Sequence, residues 1–274
     1  MSSPKVKILV CTHKVAPCLN DNVYTPIQLG RGEVNYDLGF RTDLDGINIG
    51  DKHFIYSEYT AQYWAWKNLK NIDIIGFCHY RRYFCLEDKR NSFRDIEIIE
   101  EKDLFSMNIS TKSLGNIFMK YDIILPKKKV LIESNWDRYS RMKDVRNLKI
   151  IEAIIEEKYP SYLLSFHKLL RDTNRLELLS IFITRWEIFE DYCKWLFSIL
   201  EQAEKYTDPD KNTLHEERAL AFLGELLLPV YVHTNNLKVK HLPVAWVNPS
   251  EKNKSFFRYY ASNIKSTIRF LFKI

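Results

Sequence analysis

The sequence predicts an α/β fold in which buried strands form a sheet flanked by helices. Two short apolar runs rich in β-branched residues, Lys5–Thr12 and Ile72–Phe77, have the composition of buried strands. Each run ends abruptly in polar and basic side chains, as expected where the strands of an open α/β sheet end beside a ligand. Longer segments with helical periodicity separate these and later apolar runs, which is the pattern of an α/β fold.

The composition is that of a globular protein with one large core and a small appendage. The 274 residues are 46% hydrophobic and 28% charged, and a chain of this length can bury a large core. We expect a main domain over residues 1–250 and a separate C-terminal tail over residues 251–274.

Charge and cysteine content narrow the class of protein. A net charge of +6 with a pI near 8.9 suits anionic small molecules or an anionic membrane surface, whereas nucleic-acid binding needs a denser basic patch. Five cysteines without a Cys-x-x-Cys pair disfavour a disulfide framework and a zinc cluster, and favour a reducing compartment. The first residues lack a signal-peptide pattern and no apolar run reaches about 18 residues, so we expect a cytoplasmic protein without a membrane span.

The first predicted strand, Lys5–Thr12, is followed directly by His13 and Lys14. A buried strand that ends in Thr12, His13 and Lys14 is typical of α/β nucleotide-binding folds, so these three residues are candidates for binding a nucleotide donor. The following segment, Tyr24–Gly32, contains proline and two glycines and is predicted as a loop.

Two Asp-x-Asp tripeptides offer metal-binding alternatives. Asp43 and Asp45 have the spacing with which two carboxylates can hold a Mg²⁺ or Mn²⁺ ion bound to a nucleotide diphosphate. A second tripeptide of this kind spans Asp208 and Asp210, and a chain this rich in aspartate is expected to contain such spacings by chance. The sequence leaves both the metal and the chance interpretation open.

The segment Ile55–Leu69 is predicted as one helix, and its tyrosines and tryptophans recur at helical spacing. Most of these rings are expected to pack in the core. Glu58 is a candidate catalytic base, although an exposed glutamate is the commoner role for such a residue.

The strongest sequence signal is the end of the Ile72–Phe77 strand, where His79, Tyr80, Arg81 and Arg82 follow one another. Two adjacent guanidinium groups suit a diphosphate, because each can grip phosphate oxygens through two hydrogen bonds. The alternative is an arginine-rich turn that is paired with nearby acids.

The remaining predicted elements alternate as an α/β fold requires. Residues 88–120 are predicted as a polar surface excursion with one or two short helices. Strands are predicted at 121–126, 178–184 and 237–247, and helices at 148–157, 161–170, 186–204 and 215–228. The 121–126 strand is followed by three lysines that are more typical of a solvated charge run than of a phosphate site.

The tail from Ser255 to Ile274 is predicted as a basic amphipathic helix. Its basic residues cluster on one helical face and its apolar residues on another: Arg258, Lys265, Arg269 and Lys273 against Phe257, Tyr260, Ile264, Ile268 and Leu271. Such a helix favours binding to a membrane surface, and the alternative is a helix docked on the protein's own core.

Three segments carry a specific pattern. They are Gly46-Ile-Asn-Ile-Gly50, the Glu58–Asn68 segment Glu-Tyr-Thr-Ala-Gln-Tyr-Trp-Ala-Trp-Lys-Asn, and Gly76-Phe-Cys-His-Tyr-Arg-Arg-Tyr-Phe84. Together they resemble the DUF4422 family of bacterial capsular and O-antigen polysaccharide proteins. Weaker matches follow in order at Tyr24–Gly30, Tyr121–Pro126, Tyr192–Phe197 and the pair Arg218 and Glu225, so that the likeness covers about residues 5–247.

The chain also departs from the family pattern at three places. Ser180-Ile181 stands where the family has Asn-Met, and Leu226 replaces an arginine. In the family's Gly-Asp-Asn motif, which here is Gly46-Ile47-Asn48, isoleucine replaces the aspartate. If those polar groups contact substrate in relatives, the specificity of this protein differs from theirs.

The resemblance implies a GT-A-like glycosyltransferase that uses a UDP-sugar, with galactofuranose or galactose as the expected sugar. The acceptor implied is a glycan on a lipid diphosphate at the inner membrane face, in capsule or O-antigen synthesis. A non-catalytic glycan-binding or lipid-binding component of an assembly complex is the alternative.

Glycosyl transfer requires a site that neutralises phosphate charge and removes a proton from the acceptor hydroxyl. We therefore expect Arg81 and Arg82 to neutralise part of the phosphate charge, as a metal cation would. His79 or Tyr80 is expected to hydrogen-bond to a phosphate or to a sugar hydroxyl. Glu58 and Glu225 are the candidate bases.

Overall fold

The computed structural model describes residues 3–86, 93–107, 109–177, 179–206, 217–247, 250 and 253–273. The second Asp-x-Asp tripeptide, Asp208–Asp210, and the start of the predicted 215–228 helix lie outside these residues. The strands are β1 Val6–Thr12, β2 Tyr24–Gln28, β3 Arg41–Thr42, β4 Ile74–His79, β5 Arg82–Phe84, β6 Ile96–Ile99, β7 Ile123–Pro126, β8 Lys129–Val130, β9 Arg175–Leu176, β10 Phe182–Arg185, β11 Val239–Leu242 and β12 Val244–Val247.

The helices divide into a group that covers one face of the sheet and a smaller group on the other. They are α1 His53–Tyr56, α2 Tyr59–Asn68, α3 Glu101–Leu104, α4 Thr111–Phe118, α5 Asn135–Met142, α6 Val145–Lys158, α7 Leu163–Arg171, α8 Trp186–Glu204, α9 Ala219–Thr234 and α10 Phe256–Phe272.

The sheet follows the order β11-β7-β10-β4-β1-β2-β3. Its neighbours pair in parallel except around β10, which is antiparallel to both β4 and β7. The carboxyl ends of β1, β2, β4 and β7 therefore meet at one edge, where ligands bind in open α/β sheets. An extension made of β5, β12 and β6 continues from β4 on that side.

The strands alternate their side chains between two apolar layers. In β1, Leu9 and Cys11 pack with the layer built by α2, α6, α7, α8 and α9, whereas Ile8 and Val10 pack with Leu104 of α3 and with α4. Because successive side chains of a strand point to opposite faces, helices on both faces explain why the strands are apolar throughout. The predicted α/β sheet flanked by helices is confirmed.

Most predicted elements form close to their expected bounds. The 186–204 prediction matches α8, and α6, α7, β1, β7 and the tail helix α10 also form where apolar periodicity indicated. Residues 88–120 contain the expected short helices α3 and α4, and in addition the strand β6, which was not predicted.

Three element predictions are wrong in detail. The expected loop at Tyr24–Gly32 begins with β2, because Tyr24 and Ile27 are buried beside β1. The expected helix at Ile55–Leu69 is broken at Ser57, whose positive φ of 48° ends α1 before α2 begins. The expected strand at 237–247 is two strands that pair with different partners.

The tail helix α10 attaches to the main domain through its first turns. Phe93 packs against Phe256, Tyr259 and Tyr260, and Asn253 hydrogen-bonds to the backbone of Ile98 in β6. No residue of α10 is buried. Among the described residues, none of the helices combines the length and apolar character that spanning a bilayer requires.

Candidate active site

The ends of β1 and β4 bring two of the predicted donor-binding segments together. Cys11 pairs with His79 across the parallel strands, and the Tyr80 N–H donates to the Cys11 carbonyl at 3.0 Å. The His13 and His79 rings consequently lie 5.8 Å apart, and the Lys14 ammonium lies 5.6 Å from the Tyr80 ring. The sequence separates these segments by more than sixty residues, whereas parallel pairing makes them neighbours.

Thr12 and His13 also form hydrogen bonds that hold the local structure after β1. The Thr12 hydroxyl is buried and donates to the Lys14 carbonyl at 2.8 Å, so it stabilises the turn after β1. The His13 carbonyl accepts a hydrogen bond from the Tyr36 hydroxyl. The side chains of His13 and Lys14 are exposed beside the rings of His79 and Tyr80.

His79 is a buried imidazole that stays neutral. Burial lowers its pKa to about 3, and the neighbouring Arg82 and His13 act in the same direction while Glu58 opposes them. Its Nδ1 atom has no hydrogen-bond partner among the described residues. A neutral imidazole with an unused nitrogen can exchange a hydrogen bond with a phosphate oxygen or a sugar hydroxyl.

The turn after β4 holds two guanidinium groups without carboxylate partners. Neither Arg81 nor Arg82 forms an ion pair within the described part of the chain, and the Nε atom of each is buried without a hydrogen-bond partner. Burial lowers the pKa of Arg82, as does the adjacent Arg81. Both guanidiniums lie near the ring of Trp246, at 5.9 and 5.3 Å. The geometry therefore favours an anion site over a turn that is paired with nearby acids.

Glu58 lies at the start of α2, directly after the break at Ser57. Its Oε2 atom is 3.2 Å from Nη2 of Arg218, which precedes α9. Burial alone raises the pKa of the Glu58 carboxyl, but Arg218 and local hydrogen bonds outweigh it, so that the pKa lies below its ordinary value. Glu58 is thus an ionised carboxylate facing the site, with 16% of its side chain exposed.

Glu225 has the opposite electrostatic setting. It projects from α9 toward Glu58 and Arg82. The Leu179 N–H donates to its Oε1 atom at 2.6 Å, and its Oε2 atom is 3.9 Å from Nη1 of Arg138. Burial raises the pKa of Glu225 despite these two partners, and the charge of Glu58 adds to the rise. The site therefore contains two carboxylates whose surroundings shift their pKa values apart, a common arrangement in acid–base sites.

A cavity of about 210 Å³ brings Glu58, Glu225 and Arg82 together, whereas the other predicted site residues at the ends of β1 and β4 do not line it. Its polar lining combines the two carboxylates with three arginines and one serine: Glu58, Glu225, Arg82, Arg138, Arg218 and Ser180. Arg138 belongs to α5, a helix that was not predicted, and its sequence carries no motif that could have identified it. Its contribution depends on α5 lying beside α9.

The backbone around the cavity is strained where it approaches Glu225. Leu179 and Ser180 have positive φ angles of 90° and 51°, which residues other than glycine rarely adopt. Strain of this kind persists where the surrounding structure holds it, and it is concentrated at functional sites. Here it aims the Leu179 N–H at Glu225 and exposes Ser180 to the cavity.

Gly224 allows the Tyr59 ring to pack against α9 beside the cavity. A Cβ atom at this position would lie 2.5 Å from the Tyr59 ring, so only glycine leaves room for that ring. The Tyr59 hydroxyl then reaches the Ser180 hydroxyl at 3.3 Å. Gly224 thus supports the strained segment through Tyr59.

The predicted metal pair Asp43 and Asp45 does not converge on one point. Asp43 is buried, and its Oδ2 accepts from the Gly30 N–H and the Thr60 hydroxyl. Asp45 is exposed and accepts from the backbone and hydroxyl of Thr42. Among the described residues, no three His, Cys, Asp or Glu side chains gather as a metal site.

Comparison with known proteins agrees with the fold and places the chain in a family. The family described as "Domain of unknown function (DUF4422)" matches residues 7–236. The apo structure of WbbM, described as a bifunctional glycosyltransferase, aligns with a TM-score of 0.81 at 28% identity, covering 92% of this chain and 48% of that one. The chain thus spans about half the length of WbbM. A comparison with curated proteins finds no match. The structural likeness confirms the predicted GT-A-like α/β fold.

Proposed function

The chain belongs to the DUF4422 family, and from that premise we propose that it is a glycosyltransferase in polysaccharide synthesis. It moves galactofuranose or galactose from a UDP-sugar to a lipid-linked glycan of capsule or O-antigen synthesis. The observation that carries the proposal is the cavity in which Glu58 and Glu225 lie beside unpaired Arg82. The likeness to WbbM, described as a bifunctional glycosyltransferase, supports it.

The donor diphosphate binds at the end of β4. Arg81 and Arg82 supply positive charge without a direct ion pair among the described residues, although Glu58 and Glu225 attract Arg82 at longer range. A guanidinium can hold phosphate oxygens with two parallel hydrogen bonds. As the sugar leaves, negative charge grows on the diphosphate, and these fixed cations stabilise it. His79, being neutral, contributes a hydrogen bond, and His13 and Lys14 extend the donor site toward β1.

The two carboxylates divide the remaining chemistry. Glu225 has the raised pKa and hence the greater proton affinity, so it takes the proton from the attacking acceptor hydroxyl. Glu58 has the lowered pKa and stays ionised, so it stabilises the positive charge that develops on the sugar ring as the bond to the diphosphate breaks.

A divalent cation remains the alternative means of neutralising the diphosphate. Mg²⁺ and Mn²⁺ prefer several oxygen ligands, and Asp43 could offer its Oδ1, which has no hydrogen-bond partner in the described part of the chain. Asp45 is exposed, and its carboxylate already accepts hydrogen bonds from Thr42 within its own turn. The donor set fits a metal poorly, so the arginines are assigned the role.

The exposed apolar and basic residues of the tail helix α10 support attachment to the inner face of the plasma membrane, where we expect a lipid-linked acceptor. Its apolar residues Phe257, Ile264 and Leu271 are 83%, 59% and 66% exposed, and basic residues such as Lys265 lie beside them. An exposed apolar stripe with flanking cations suits an anionic lipid surface.

The test is release of UDP from a panel of UDP-sugars, with and without a lipid-linked acceptor. Acceptor-dependent release that survives EDTA and is lost in Arg81→Ala supports both the transferase and its cationic site. Full loss in EDTA with rescue by Mn²⁺ contradicts the arginine role. Binding of glycan or lipid without any UDP release indicates the non-catalytic alternative.

A further inference from the structure

A second cavity, of about 240 Å³, lies between the sheet extension and the tail helix. We propose that it binds the sugar next to the diphosphate of the lipid-linked acceptor, together with that diphosphate. This inference rests on the proposed transferase function, which identifies the acceptor. The residues that carry the argument are Trp246, Tyr259, Asn263, Lys129 and Lys254, all of which line the cavity.

The lining has the chemistry of a site for a phosphorylated sugar. Trp246 and Tyr259 offer aromatic surface on which the apolar face of a sugar ring can pack, and Asn263 can hydrogen-bond to hydroxyls. The indole Nε1 of Trp246 is buried and has no hydrogen-bond partner among the described residues. Because that nitrogen has almost no accessible surface, Trp246 offers the cavity its aromatic ring rather than a hydrogen-bond donor.

Two lysines give the cavity a positive rim. Lys129 and Lys254 are exposed, and neither forms an ion pair within the described residues. Arg94 is balanced by Glu97, at 2.9 Å, and Asp95 is the acid in the lining. Since two lysines outnumber that one acid, an anionic group such as a diphosphate is favoured over a neutral glycan.

The position of the cavity fits an acceptor that enters from the membrane. Trp246 lies between the two cavities, because its ring is 5.3 Å from the Arg82 guanidinium that lines the candidate active site. On the other side the wall is α10, through Tyr259 and Asn263. A glycan held here has its lipid end toward the proposed membrane helix and its growing end toward the donor.

The orientation of α10 is consistent with one side of the helix lining the cavity and the other side contacting lipid. The side chains that face the cavity and the main domain are mostly polar, and they are partly buried: Tyr259, Ser262, Asn263 and Ser266. Most of its apolar residues are exposed, among them Phe257, Ile264, Ile268 and Leu271, whereas Phe256 and Tyr260 pack on Phe93 and Phe270 is partly buried. A helix that turns its polar side to a protein and its apolar side outward forms the wall of a polar cavity at a lipid surface.

The test uses the full chain and a soluble probe, N-acetylglucosamine linked through a diphosphate to an octyl chain, with binding followed by calorimetry. Tyr259→Ala and Lys129→Ala should each weaken binding by about 10-fold, because they remove stacking surface or a cation. Tyr259→Phe should retain most of the affinity. Lys149→Ala, an exposed position on α6, is the matched control and should bind like the wild type.

Two further probes separate the contribution of the sugar from that of the diphosphate. Octyl diphosphate without the sugar should be insensitive to Tyr259→Ala, and octyl N-acetylglucosaminide without the diphosphate should be insensitive to Lys129→Ala. Wild-type affinity for the full probe in both variants overturns the inference, provided circular dichroism shows them folded.

The donor reaction distinguishes this inference from the proposed function. If the protein releases UDP but Tyr259→Ala and Lys129→Ala both bind the probe like the wild type, the acceptor cavity is wrong and the transferase function stands. Probe binding that responds to both variants, in a protein that releases no UDP from any UDP-sugar, supports the cavity and contradicts the transferase.

Discussion

In the candidate active site, Arg82 and Arg138 line a cavity beside Glu225, whose side chain is only 13% exposed, whereas in the tail helix the basic residues Lys265 and Arg269 lie at the surface. Both regions combine cationic and aromatic side chains. The difference is enclosure, since low exposure strengthens electrostatic interactions in the cavity and water weakens them at the tail. Cationic and aromatic residues therefore indicate chemistry where they are enclosed, and surface attachment where they are exposed to solvent.

The helices α8 and α10 show the same contrast for apolar residues. Both have amphipathic sequences, yet α8 buries nine residues against the sheet and neighbouring helices, and α10 buries none. Hydrophobic periodicity therefore predicts a helix in both cases without telling what its apolar face covers. The following variants test this contrast between an enclosed region and an open one.

The largest expected effect is on catalysis in the enclosed region. Arg82→Ala should lower UDP-sugar turnover by about 10² to 10³-fold, because it removes a preorganised cation from the developing phosphate charge. Arg82→Lys should recover only part of the rate, since lysine lacks the planar fork. The measurement is acceptor-dependent UDP release, together with vesicle binding, which should not change.

The control for Arg82→Ala is Arg141→Ala, which removes an exposed arginine on α5 that pairs with Glu133. It should leave turnover unchanged. Turnover within a few-fold of the wild type in Arg82→Ala would mean that the end of β4 does not bind the diphosphate.

The second effect is on stability and compares the two amphipathic helices directly. Leu196→Ala in α8 should lower the free energy of unfolding by about 3 kcal/mol, because a fully buried side chain leaves a cavity. Ile264→Ala in α10 should change it by less than about 0.5 kcal/mol, because that side chain is 59% exposed. Urea unfolding at neutral pH measures both. Similar losses in the two variants would show that the apolar face of α10 packs on the protein.

The third effect is on membrane attachment in the open region. Replacing Phe257, Ile264 and Leu271 together by serine should weaken binding to vesicles that contain anionic lipid by at least about 10-fold, because the apolar area available for insertion is lost. Turnover of a soluble acceptor should stay at the wild-type level. Vesicle co-sedimentation measures the attachment, and a triple variant at the exposed positions Leu164, Met119 and Phe105 is the control. Equal binding by both triple variants would exclude α10 as the attachment site.

The smallest effect is a shift in the pH dependence of turnover. Because Glu225 must be deprotonated to act as a base and its pKa is raised, activity should fall on the acidic side at a higher pH than an ordinary glutamate gives. Arg138→Met removes a charge that lowers the pKa of Glu225, so the acidic limb should move to still higher pH. Arg141→Met on the same helix should not move it, and an unmoved limb in Arg138→Met would remove Glu225 from the role of base.

Much of the fold was predictable because local patterns decide local structure. The β-branched apolar run at β1 and the regular apolar spacing in α8 each contain enough information for one element. The prediction was wrong at β2, where proline and glycine suggested a loop, because parallel pairing with β1 buries Tyr24 and Ile27. Pairing between distant segments is not visible in local composition.

The candidate site was predictable only in part. The residues at the end of β4 were conspicuous, since a buried strand rarely ends in His79, Tyr80, Arg81 and Arg82 without a reason. Arg138 was not, because its helix has an ordinary polar sequence and its role follows from lying 3.9 Å from Glu225. The polar side of α10 was also hidden, because periodicity does not tell which face of a helix meets the protein.

Local sequence patterns were enough to locate most of the elements, the concentration of positive charge after β4, and a C-terminal helix with separate basic and apolar faces. Only the tertiary structure decided that Glu58 is ionised beside Arg218 while Glu225 has a raised pKa, and that Trp246 separates two cavities. The physical reason is that periodicity and propensity act over a few residues, whereas burial and Coulombic interaction depend on which distant segments the sheet brings together.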